Sequence, residues 1–217
     1  MVKFYESKTT FDFTWDQVAQ GFWQRYPNPE STHVLSEDTV YRQIRDGKLY
    51  SKRLLTKTNK LPKWGERFIN TRVVKILEES VVDPESKTLT TYTRNLGYQS
   101  VMGVAEKVVY KVSDDNPMKT VAIRSATIDS QVFGFARAIQ SFGLERFKKN
   151  CTKAVRGFNH VLHSMFPHQQ KQLDILPHSN ALVSQSQKSN AEKLKDAAKK
   201  ATDLAKSKTH FPKIESI

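Results

Sequence analysis

Six strand-like runs, joined mostly by tight-turn signals, stand between a short helical pattern and a long one, and this order constrains the fold more than any other feature. Residues 33–45 and 48–57 flank Asp46-Gly47, a dipeptide that accepts the positive φ angles of a two-residue hairpin turn. Asp83-Pro84-Glu85-Ser86 turns the Val- and Ile-rich run 71–82 into 88–95, and Asp114-Asp115-Asn116-Pro117 turns 102–113 into 119–129. Strands joined so briefly are antiparallel neighbours, because a parallel return needs a long crossover. The stretch 60–70 breaks the pattern with Pro62 and Gly65 and reads as a long loop or short helix between two strands.

Ahead of this meander, residues 3–13 alternate loosely and end in Phe11-Asp12-Phe13, a first strand. Thr14 and Gln17 have the spacing of a capping box. Trp15, Val18, Ala19, Phe22, Trp23 and Tyr26 then recur at helical spacing. After the meander, residues 130–166 are helical in pattern, with Gly134, Gly143 and Gly157 as points of bending or interruption. At about 100° per residue, Leu144, Phe147, Cys151, Ala154, Phe158, Leu162 and Met165 share one face of this helix. Arg146, Asn150 and Lys153 form a row along one edge of that face, and Lys148 flanks the other edge. Glu145, Lys149 and Arg156 point away. The expected class is α+β: a curved antiparallel sheet of about seven strands, a short helix after the first strand, and a long C-terminal helix, an arrangement that can enclose an apolar cavity.

A chain of 217 residues allows one sizeable domain and an appendage. Its formal charge of +13 points to anionic partners: phospholipid head groups, nucleic acid or an acidic protein. The basic residues are dispersed, and neither an RNP-like nor a helix-turn-helix pattern occurs, which argues against a nucleic-acid module. The one cysteine, Cys151, excludes an internal disulfide and reads as a core residue. His160 and His163 have no third ligand at good spacing, and no nucleophile elbow, P-loop or paired-carboxylate motif occurs, so neither a metal site nor an enzyme is expected. No apolar run approaches the roughly 18 residues of a membrane span. With no secretory signal or Arg/Ser-rich presequence, composition alone suggests a soluble cytosolic protein.

The segment Trp23-Gln24-Arg25-Tyr26-Pro27-Asn28-Pro29, followed by His33-Val34-Leu35, is the most distinctive in the chain. Pro27 and Pro29 fix φ and remove two donors, so the helix is expected to stop near Tyr26, with Arg25 and His33 close to one corner. Taken singly, these residues have bland readings. Arg25 suits a helix C-terminus, Lys57 a solvated strand end, His33 a neutral core or hinge, and the Arg146 row an outward snorkel. Leu61 and Trp64 are apolar residues amid Lys57, Lys60, Lys63 and Arg67, suited either to an anionic bilayer surface or to ordinary loop packing.

The segment closely resembles the signature of the PRELI family of intermembrane-space lipid carriers. Four further stretches match in order: Arg53-Leu54-Leu55-Thr56-Lys57, Lys60-Leu61-Pro62-Lys63-Trp64, Thr90 with Tyr92-Thr93-Arg94-Asn95-Leu96, and Arg146-Phe147 with Asn150 and Lys153. The resemblance covers residues 1–166. It implies a helix-grip fold like those of START and PITP proteins and a phospholipid carrier, not an enzyme, with no cofactor beyond the bound lipid. It implies that Arg25, His33, Lys57, Arg146, Asn150 and Lys153 hold the lipid phosphate, and that Leu61, Pro62, Lys63 and Trp64 form a lid that contacts the membrane. Arg146 departs from relatives that carry Lys there, replacing a point donor with a planar fork.

Arg25, Lys57, Arg146 and Lys153 cannot share a low-dielectric pocket without a counter-charge, and no acidic residue of the matched segments supplies one. A phosphate monoester of charge near −1.5 to −2 does, which favours phosphatidic acid over the diester phosphatidylserine. The resemblance further implies the mitochondrial intermembrane space, reached without a cleaved presequence, and anionic mitochondrial membranes. It implies a 1:1 heterodimer with a small twin cysteine-x9-cysteine helical protein, no nucleic acid, and delivery of lipid to cardiolipin synthesis. Residues 167–189 are Gln/Ser/His-rich, an expected linker. Residues 190–217 form an Ala/Lys-rich tail resembling late-embryogenesis-abundant repeats, read as a partly formed helix, solvated or induced at a membrane surface.

Overall fold

The structure is a computed structural model in which residues 2–58, 62–63, 65–68 and 71–167 are described. The elements run β1 (Lys3–Phe11), α1 (Trp15–Phe22), β2 (Val34–Arg45), β3 (Lys48–Thr58), β4 (Val73–Asp83), β5 (Thr88–Asn95), β6 (Gly103–Val112), β7 (Thr120–Asp129) and α2 (Ala136–Met165). All seven strands join one antiparallel sheet in the order β1-β7-β6-β5-β4-β3-β2. This is a meander from β2 to β7, with β1 added beside β7. The Asp46-Gly47 hairpin forms with φ of 50° and 71°, the doubly positive geometry that matches the twist of the flanking strands.

Both helices lie on one face of the sheet. Thr14 caps α1 with the reciprocal Gln17 bonds of a capping box. The apolar face of α1, Trp15, Val18, Ala19 and Phe22, packs with Phe11, Phe13, Leu89, Val108, Tyr110, Phe158 and Leu162 into the core. That core occupies the sheet end formed by the close of β4 and β6 and the start of β5 and β7. The opposite end, beneath the N-terminal half of α2, is left for a cavity. One helix thus seals the sheet with its last turns and roofs a space with its earlier ones, the helix-grip arrangement.

Three local expectations differ from the structure. Helix α1 ends at Phe22, four residues before Tyr26, with Trp23 at its C-cap. Trp23 and Tyr26 leave the helix to lie under arginine and lysine side chains: Trp23 under Arg42 and Arg53, Tyr26 under Arg25 and Lys57. Helix α2 starts at Ala136, because Gly134 at φ 75° closes a turn ahead of it. Gly143 and Gly157 neither bend nor interrupt α2, which runs unbroken for 30 residues. They are positions of close approach: a Cβ at Gly143 would meet Met102 Sδ at 2.8 Å, and one at Gly157 would collide with Asn28 Oδ1. Residues 168–217, all but the first residue of the expected linker and the whole tail, lie outside the described residues.

Candidate functional site

A cavity of about 260 Å³ lies between α2 and the half of the sheet that the core leaves empty. Leu55, Val74, Ile76, Val104 and Val108 give it an apolar wall from the sheet, joined by Met102 just ahead of β6. Gly143, Arg146, Phe147, Asn150, Cys151 and Ala154, spaced as one helical face, form its roof. Arg25, Tyr26 and His33 close the side where the Pro27–Pro29 segment passes from α1 to β2.

That segment is held by α2. Asn28 caps the short 3-10 turn Pro29–Ser31 by accepting from the Glu30 N–H at 3.0 Å, and its amide donates to the Arg25 carbonyl at 2.6 Å. Gly157 lets α2 come against Asn28, and Arg156 on the neighbouring position donates twice to the Glu30 carboxylate, at 3.1 Å each. His33 is tied to the end of β3 by the Thr58 N–H, which donates to its carbonyl at 2.8 Å. These contacts set Arg25, His33 and the α2 row relative to one another.

Of the six residues expected to hold phosphate, Arg25, His33, Lys57, Arg146 and Asn150 line this one cavity. Lys153 does not; it is exposed, but near enough for its charge to act on His33. Burial, then the charges of Lys57, Lys153 and Arg146, hold the His33 pKa below its ordinary value. Burial likewise lowers that of Arg146. The site is therefore poised to prefer an anion that relieves this crowding. Of the expected lid, Pro62 is half-buried and Lys63 exposed; Leu61 and Trp64 lie outside the described residues.

The matched segments supply no carboxylate to offset these cations, but Glu78, which lies outside them, does. Its Oε2 accepts from Arg25 Nη2, and its Oε1 accepts from Arg53, with Nε at 2.9 Å. Arg53 also donates to Glu37 at 2.6 Å, and its guanidinium lies over the Phe22 and Trp23 rings. Burial opposes the charge on Glu78, but Arg25 and Arg53 outweigh it and hold the carboxyl below its ordinary value. Burial also opposes the charge on Arg25, and Glu78 outweighs that in turn, raising its pKa. A second pair, Arg124 with Glu106, lines the same cavity, and the Thr93 hydroxyl donates to Glu106 at 3.0 Å.

Five cationic side chains (Arg25, Lys57, Arg94, Arg124 and Arg146) and two carboxylates (Glu78 and Glu106) thus line the cavity. Positive charge remains in excess. Arg25 Nε is buried and has no hydrogen-bond partner among the described residues. It is an unsatisfied donor behind the cavity wall, and the rest of the Arg25 side chain lines the cavity itself. Sequence reasoning missed Glu78, Arg94, Glu106 and Arg124. The available signal was a charge within a run of apolar strand residues, as in Val74 to Val82 around Glu78, but inward and outward parity is set only by the sheet register.

Comparison with known proteins fits this geometry. Two solved structures share the fold at low identity: TTHA0849 of Thermus thermophilus (TM-score 0.51, 11% identity, 76% of this chain and 99% of that one) and the Zhui aromatase/cyclase of Streptomyces sp. R1128 (TM-score 0.52, 9% identity, 75% and 94%). Sequence relatives are nearer. Bovine "PRELI domain-containing protein 1, mitochondrial" is 49% identical over 166 residues, which is 75% of this chain and 76% of the relative. "Protein UPS1, mitochondrial" of Saccharomyces cerevisiae is 34% identical over 168 residues, 76% of this chain and 95% of the relative. The PRELI-like family profile matches residues 16–169. Given that span and those identities, this chain belongs to the PRELI-like family.

Proposed function

We propose that the chain is a phospholipid carrier of mitochondria that extracts phosphatidic acid from one membrane and delivers it to another. The observation that carries this reading is the excess of cationic side chains over carboxylates, five against two, around one cavity with an apolar wall. Arg25, His33, Lys57, Arg146 and Asn150 hold the phosphate, with Lys153 at the rim. Glu78 and Glu106 offset part of the positive charge, and the remainder suits a phosphate monoester better than a singly charged diester. The apolar wall takes the start of the acyl chains.

The names of the relatives support a mitochondrial site of action. Under this reading the chain works in the intermembrane space as a 1:1 heterodimer with a small twin cysteine-x9-cysteine helical protein, at anionic membranes. The delivered lipid feeds cardiolipin synthesis. Leu61, Pro62, Lys63 and Trp64 act as the lid. Residues 1–166 form the lipid-binding domain, 167–189 a linker, and 190–217 an appended tail. No catalytic step is involved.

The test is transfer of labelled phosphatidic acid between liposomes by the co-expressed complex, with phosphatidylserine and phosphatidylcholine in parallel. Selective transfer of phosphatidic acid is expected. Transfer of phosphatidylserine instead overturns the head-group assignment, and no transfer from a folded complex overturns the carrier reading.

A further inference from the structure

The concave face of the sheet changes character with depth. Arg53, Glu78, Thr93 and Glu106 are register partners on β3 to β6 and cross it as one polar row. Four residues along each strand from there, Leu49, Val82, Leu89 and Tyr110 are partners in the row that belongs to the core. Tyr110 carries the one polar side chain of this second row, and it lines the cavity as well as the core. The residue is 4% exposed. Its ring is wedged among Phe11, Phe22 and Phe158, with centroids 6.3, 6.3 and 6.2 Å away. The Trp15 indole N–H donates to its backbone carbonyl at 3.3 Å. Among the described residues its hydroxyl has no hydrogen-bond partner. Tyr110 is thus an apolar end wall with a polar tip.

Two ion pairs flank that tip. Arg25 with Glu78 and Arg124 with Glu106 both line the cavity, and all four charges act on the phenol. Burial above all holds its pKa above the ordinary value; the two arginines pull it down, and the two carboxylates add to the rise. The phenol therefore stays a neutral donor at physiological pH. We propose that Tyr110 restricts the site to a head group that ends in phosphate, its hydroxyl donating to a terminal phosphate oxygen and its ring closing the space an alcohol substituent would need. The inference deepens the carrier reading and rests on it for the class of lipid. Charge alone is a weak filter, because a phosphodiester keeps one negative charge and two acceptor oxygens for Arg25. A steric stop supplies the rejection that attraction does not. An alcohol directed at this wall meets Phe11, Phe22 and Phe158, where a serine or choline group loses its hydration without a partner. The ring cannot step aside, since the core around it is close-packed.

The experiment uses the full chain with its co-expressed partner and short-chain, water-soluble lipids, with affinities measured by calorimetry. Phosphatidylmethanol, phosphatidylethanol and phosphatidylpropanol carry the same charge and differ only in the length of the alcohol. With the native protein, affinity is expected to be highest for phosphatidic acid and to fall by about threefold or more at each added carbon, as overpacking against a rigid wall predicts. Equal affinity for the three diesters overturns the wall. Tyr110→Leu keeps an apolar side chain in the core, shortens the wall, and is expected to flatten this series; a series as steep as that of the native protein overturns the assignment to Tyr110. Tyr110→Phe keeps the ring and removes the donor. It is expected to bind phosphatidic acid roughly tenfold more weakly, with the steep series retained and the melting temperature little changed. Undiminished binding of phosphatidic acid by Tyr110→Phe overturns the hydrogen bond. The two readings fail separately: a native protein that binds none of these lipids refutes the carrier, while one that binds the diesters without regard to length refutes only the wall.

Discussion

Replacing Glu78 by Gln isolates the electrostatic argument for the site. Glu78 is 3% exposed, and each of its oxygens accepts from a different arginine, Arg53 and Arg25. A glutamine keeps one acceptor and turns an NH₂ donor toward a guanidinium, so one buried cation loses its partner. Removing one member of a buried pair costs about 3–5 kcal/mol. The lower end applies, because Arg53 retains Glu37 and its two ring contacts. At about 2–4 °C per kcal/mol for a domain of this size, the melting temperature at pH 7 falls by about 6–12 °C. The folded-state pKa of Glu78 is depressed, so its stabilisation is full above the unfolded value of 4.5 and is lost as pH falls through the folded value. The gap between wild type and Glu78→Gln therefore closes in acid. A short-chain phosphatidic acid is expected to raise the melting temperature of the variant more than that of wild type, because it supplies the missing anion to Arg25. Near-UV circular dichroism melts from pH 3 to 8, with and without lipid, measure both effects. A variant that melts within about 1 °C of wild type at pH 7, or that gains less from the lipid, refutes the reasoning.

Arg25→Gln is expected to abolish phosphatidic acid extraction while Arg53 continues to pair with Glu78; normal extraction by the folded variant, measured by liposome flotation, removes Arg25 from the phosphate site. His33 has a folded pKa below its unfolded value of 6.5, so its contribution to stability is present above that pH and is lost as pH falls toward the folded value. An NMR titration of its ring is expected to give an apparent pKa below 6.5 in the empty protein and a higher one with phosphatidic acid bound; no upward shift places the anion elsewhere. Gly157→Ala would ordinarily gain about 1 kcal/mol in a helix interior, yet its Cβ would collide with Asn28 Oδ1. A net loss of about 1–3 kcal/mol in urea unfolding is expected, and a stabilised variant contradicts the close docking of α2.

The architecture is legible in the sequence because its punctuation is local. Asp46-Gly47 and the two Asp-rich turns set the hairpins, Thr14 and Gln17 start α1, and the 3.6-residue stripe defines α2. What was hidden depends on distant partners. Glu78 and Glu79 are adjacent and chemically identical, yet one faces the cavity and the other pairs outward with Lys52 at 2.8 Å. Only the β3–β4 register decides which is which. The glycines of α2 read as helix weaknesses until Asn28, Met102 and Ile128 appear against them. Lys153 shares the edge of Arg146 and Asn150 on the helix, but at that turn it is Ala154 that lines the cavity, a difference of facing that spacing alone does not decide.

Native mass spectrometry of the co-expressed complex, purified without added lipid, tests the central claim most directly. The account predicts one adduct of phosphatidic acid mass per chain, lost in Arg25→Gln and retained in Lys52→Gln on the outer face. A complex that carries no phospholipid, or one that keeps its adduct undiminished without Arg25, contradicts it.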